Sequence, residues 1–91
     1  MRQTAPELTE YRHRLDNAVT GFSLFIRDLC PGAQLEITLT RYEDEDAHIR
    51  VSLPATLTVE EREALANRFA EKSIDFLLTE SLLIMAGVEE A

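Results

Sequence analysis

The chain has 91 residues, 45% of them hydrophobic and 29% charged, with a formal net charge of −8 at pH 7. That length supports one small globular domain hiding only about 60–65% of its unfolded surface, and the composition excludes a wholly disordered chain. The acidity argues against general nucleic-acid or anionic-membrane binding, because such a surface repels phosphates.

The charge is uneven along the chain. Arg2, Arg12, Arg14 and Arg27 balance Glu7, Glu10, Asp16 and Asp28, whereas residues 31–91 carry five basic groups against thirteen acidic ones. Such a surface keeps a small protein in solution and would also suit a basic protein partner. Cys30 is the only cysteine, so neither an internal disulfide nor a cysteine metal site is available. With no leader-like segment after Met1, a cytoplasmic protein is expected.

Thr4-Ala5-Pro6-Glu7 reads as a helix start, with Thr4 as cap, Glu7 bonding back and Pro6 in the first turn. Leu8, Tyr11, Leu15, Ala18, Val19, Phe22, Phe25, Ile26 and Leu29 follow at steps of three and four, an apolar stripe of roughly seven turns. Cys30-Pro31-Gly32 ends it, since the residue before proline avoids the α conformation. Gly21 lies mid-helix, where it would allow another element to approach closely.

Residues 34–53 alternate instead. Leu35, Ile37 and Leu39 face one way and Glu36, Thr38 and Thr40 the other; beyond Glu43-Asp44-Glu45-Asp46, Ala47, Ile49, Val51 and Leu53 oppose His48, Arg50 and Ser52. This is a half-buried antiparallel hairpin. Facing residues share a side, so odd positions must pair with odd positions. Leu39 opposite Ile49 leaves Glu43 to Glu45 as the loop, and Leu39 opposite Val51 leaves Glu43 to Ala47.

Pro54 closes the second strand, and Thr58-Val59-Glu60-Glu61 repeats the capping signature. A long helical stretch from Thr58 to Ala86 is expected, carried through straight or kinked in preference to a short third strand over Leu82 to Val88. Gly87 then suits the helix terminus, with Val88 folding back on Leu83. From Ile74 onward apolar residues occupy nearly every side, which a short chain cannot bury alone. The expected fold is therefore α+β, a two-layer helix–β-hairpin–helix (αββα) with an antiparallel two-stranded sheet that a dimer would extend. Ile74, Leu78, Leu82 and Met85 are the candidate interface of a homodimer.

Little in the chain resembles catalytic machinery. Consecutive carboxylates at residues 43–46 lack the spacing and glycine of a calcium loop, and neither His13 nor His48 has metal-ligand spacing. The only glycines are Gly21, Gly32 and Gly87, so there is no phosphate loop, and Cys30 has no activating base beside it. No enzyme activity, metal or cofactor is expected, nor a membrane or nucleic-acid partner. The expected function is a small acidic protein-interaction or regulatory module, an adaptor or chaperone-like binder. The alternative is a ligand- or ion-binding domain using the acidic turn or the polar hairpin face. There the wider register would set Tyr42 opposite His48 and Thr40 opposite Arg50, a cluster able to read a carboxylate.

Overall fold

A computed structural model describes residues 6–39 and 45–89. Helix α1, Pro6–Leu29, buries the expected stripe: Leu15, Ala18, Val19, Phe22 and Ile26 lie in the core, and Tyr11, Phe25 and Leu29 pack against it. The Thr4 cap and the Glu7 side chain lie outside what is described. At the far end the Cys30 amide still donates to Ile26 at 2.9 Å before Pro31 and Gly32 turn the chain. At Gly32 a Cβ would lie 3.0 Å from Cγ of Pro54, so a side chain there requires the proline ring to shift. No such reason holds for Gly21, where a Cβ would meet nothing within 4 Å; close approach of another element is not what this glycine provides.

Strands β1, Gln34–Thr38, and β2, Ala47–Ser52, form the antiparallel hairpin. Odd residues face odd residues as the alternation requires, but the register differs from both expected ones. Ile37 pairs with Ile49 and Leu35 with Val51, so continuing the ladder sets Leu39 beside Ala47 rather than Ile49 or Val51. Arg50 accordingly faces Glu36 rather than Thr40, and His48 faces Thr38 rather than Tyr42.

Helix α2, Val59–Glu80, starts with the capping box read from Thr58 and Glu61: the Glu61 amide donates to Thr58 Oγ1 at 3.1 Å and the Thr58 amide to Glu61 Oε1 at 2.8 Å. Its end corrects the sequence reading. Ser81 adopts a left-handed conformation, φ 58° and ψ 34°, and its amide bonds back to the Leu77 carbonyl at 3.1 Å. The chain then reverses, and Ile84–Glu89 forms a third strand, β3, parallel to β2. The two-stranded αββα arrangement is thus replaced by α–β–β–α–β with a mixed sheet in the order β1-β2-β3. Gly87 lies within β3 opposite Arg50, not at a helix terminus, and Val88 pairs with Val51.

The third strand is built as half-buried strands are. Ile84 is fully buried, Ala86 and Val88 pack on the core, and Met85, Gly87 and Glu89 turn to the opposite face. Ala47, Ile49 and Val51 of the central strand are at most 1% exposed on the core side. Phe69 projects from α2 into the same cluster, and Phe22 meets Phe76 at a centroid distance of 5.5 Å. Both helices therefore cover one face of the sheet, and the other stays open. Burying each large aliphatic or aromatic group in this layer contributes about 1.5–3 kcal/mol. The Ser73 hydroxyl donates to the Ile84 carbonyl at 2.6 Å, tying α2 to β3 from inside. Arg14 donates from α1 to the last-turn carbonyl of Glu80 at 3.2 Å, a cation placed at the negative end of α2.

Candidate functional site

The open sheet face carries the polar residues of all three strands. Arg50 stands at its centre, with Glu36 opposite on β1 and Gly87 opposite on β3. Nη1 donates to Glu36 Oε1 at 2.7 Å, Nε to Glu89 Oε2 at 2.8 Å, and Nη2 lies 2.7 Å from the same Glu89 oxygen. One guanidinium thereby bridges carboxylates from both edge strands. Each pair is exposed and contributes little singly, and together they tie the central strand to both edge strands. A shallow depression of about 310 Å³ lies here, lined by Gln34, Leu35, Glu36, Arg50, Ser52 and Glu89. Its cation is already matched by two acids, so an incoming carboxylate or phosphate would have to displace them.

His48 lies two residues along β2 on this face. Its Nδ1 is 3.2 Å from Glu45 Oε1, and its ring crosses Gly87, whose Cβ, if present, would be 3.3 Å from Nε2. Thr40 and Tyr42 fall outside the described residues, so of the cluster read from the sequence only His48 and Arg50 are placed.

Half of the acidic connection is also described, and its two acids do different work. Glu45 serves His48. Asp46 is 7% exposed; it accepts the Tyr11 hydroxyl at 2.5 Å on Oδ1 and the Leu83 amide at 2.8 Å on Oδ2. Its own amide donates to the Leu83 carbonyl at 2.8 Å. Asp46 thus clamps the entry of β2 to the entry of β3, with α1 attached through Tyr11. Sequence reasoning missed this, placing Asp46 in the acidic turn with no structural role. Among the described residues no group of three or more His, Cys, Asp or Glu side chains could hold a metal. Cys30 is buried in the apolar core.

The four interface candidates fall into three environments. Leu82 is 1% exposed, in the core. Met85 is on the open sheet face, beside His48 on the neighbouring strand. Ile74 and Leu78 point outward from α2, 56% and 77% exposed, with Leu77 between them at 44%. Phe69, Ser73 and Phe76 occupy the inward side of that helix, and the outward stripe has no counterpart among the described residues. A second apolar margin runs along β1, where Ile37 and Leu39 are 44% and 45% exposed. Between the helices a furrow of about 750 Å³ is lined by Gly21, Leu24, Phe25 and Phe76 among others. Lys72 closes its floor, with Nζ 5.2 Å and 5.4 Å from the ring centres of Phe25 and Phe76. No helix among the described residues is long and apolar enough to cross a membrane. No protein-family model, curated protein or solved structure matches the chain.

Proposed function

We propose that the chain is a small acidic protein-interaction module, of adaptor or regulatory type, whose working surface is the outward stripe of α2. The observation that carries this reading is the exposure of Ile74, Leu77 and Leu78, three large apolar side chains within little more than one turn. They sit on a helix whose other side already meets the needs of the core. Left in water they favour association, and a contiguous apolar stripe on one helix suits a partner helix or groove. Glu71 and Asp75, both exposed, stand three residues before Ile74 and Leu78 and border the stripe. The chemistry therefore favours a partner segment with apolar anchors flanked by lysine or arginine. The alternative, an anion site on the open sheet face, is weakened by the pairing of Arg50 with Glu36 and Glu89.

A synthetic amphipathic helix with leucines at i, i+3, i+4 and i+7 and a lysine rim tests the reading. Titrated into the labelled protein, it should perturb the amide resonances of residues 70–80 and lose affinity at least about tenfold against Leu78→Glu. Perturbation spread elsewhere, or equal binding by the variant, would refute the assignment.

A further inference from the structure

We infer that the free edge of β1 is a self-pairing surface, and that its occupant is the β1 strand of a second copy of this chain, paired antiparallel about Ile37. The inference concerns a different element from the α2 stripe and stands independently of it.

The sheet leaves two edges. On β3 the core-side residues Ala86 and Val88 are packed under the helix layer, and α2 lies against that strand. The core side of β1 is left uncovered: Leu35 is partly buried, while Ile37 and Leu39 stand nearly half exposed although they face the same way as the fully buried Ile49 and Val51. Two devices that often protect an edge, proline and lysine, are not used here. Residues 34–39 contain no proline and no lysine, and their one charge, Glu36, is turned to the open face and held by Arg50.

The pattern Leu35-Glu36-Ile37-Thr38-Leu39 reads the same apolar–polar alternation in both directions about its centre. A two-fold contact requires such self-complementarity. With the dyad at Ile37, Ile37 meets the second copy's Ile37, and Leu35 meets its Leu39. The core-side row of Ala86, Ile49 and Ile37 then continues into Ile37, Ile49 and Ala86 of the second copy, making one six-stranded sheet with helices on one side.

Charge favours this register over the one centred on Glu36 and suits a second copy as occupant. On the open face each Glu36 would oppose the Thr38 hydroxyl of the other copy, with that copy's His48 on the next strand and its own Arg50 behind it. A dyad at Glu36 would instead set two carboxylates face to face, which is destabilising in a cross-strand pair. A strand from an unrelated protein would lack this matched placement of acid and donor.

Sedimentation of the full chain should give a species of twice the 10.3 kDa chain mass at concentrations up to about 100 µM, and Ile37→Lys should raise the dissociation constant at least about tenfold. Cysteine pairing checks the register without relying on that variant. In a Cys30→Ala background, Ile37→Cys should cross-link to itself on mild oxidation, and Glu36→Cys should cross-link to Thr38→Cys when the two proteins are mixed. Thr38→Cys alone should not, its symmetry mate lying beyond about 7 Å. A monomer throughout the concentration range overturns the inference. So does a dimer that is dissociated by Leu78→Glu but untouched by Ile37→Lys, an outcome that would assign self-association to α2 instead.

Discussion

Asp46 shows how much a single side chain carries in this chain. Both carboxylate oxygens accept hydrogen bonds, from Tyr11 and from the Leu83 amide, and its own amide returns a bond to Leu83. Residue 83 is the last position before β3, so this exchange sets where the third strand begins against the second. Replacing Asp46 by alanine leaves the Leu83 amide short of its acceptor in a part-buried place, a loss of about 1–3 kcal/mol. Urea unfolding of Asp46→Ala should show that loss, and Asp46→Asn, which keeps one acceptor oxygen, should recover part of it. Equal stability of all three proteins would mean that water replaces the carboxylate without cost. The sequence offers four acids in a row at 43–46 and no local mark that the last one turns inward. Its burial depends on Leu83 arriving from 37 positions further along.

At the scale of elements, the helices and the hairpin were legible where periodicity and capping agree. The α1 stripe, the break at Cys30-Pro31, the alternation of 34–38 and 47–52, and the Thr58–Glu61 box all appear as read. The end of α2 was not legible, because a run of Leu82, Leu83, Ile84 and Met85 fits a buried helix or a buried strand equally. Counting these residues together with Ile74 and Leu78 joined two elements of different period, and so overstated the apolar surface of one long helix. The break itself falls on Ser81, a non-glycine residue at φ 58°, where no glycine or proline announces it. A left-handed serine is strained by about 1 kcal/mol or more relative to glycine. Ser81→Gly should therefore raise stability by about 0.5–1 kcal/mol in thermal or urea unfolding with the same strand order. A loss instead would show that the serine side chain stabilises the turn in a way that offsets its backbone strain.

Across the whole molecule, the third strand changes what the apolar carboxyl-terminal third is for. Leu82 and Ile84 complete the core beneath the two helices, while Ile74, Leu77 and Leu78 remain outside it. These two groups respond oppositely to truncation. Leu82→Ala removes a side chain that is 1% exposed and leaves a cavity between α2 and the sheet, costing about 2–5 kcal/mol. Stability for a domain this small is itself on the order of 5–10 kcal/mol, so the variant should melt far lower or fail to accumulate. Leu78→Ala, at a site 77% exposed, should change unfolding by less than about 0.5 kcal/mol in the isolated monomer. The same substitution should weaken whatever associates through the α2 stripe. Measured side by side, calorimetric melting of the two variants separates the residues that build the fold from those left to a partner. A large loss at Leu78 in a monomeric sample would place that side chain inside the fold and remove the surface on which the interaction reading stands.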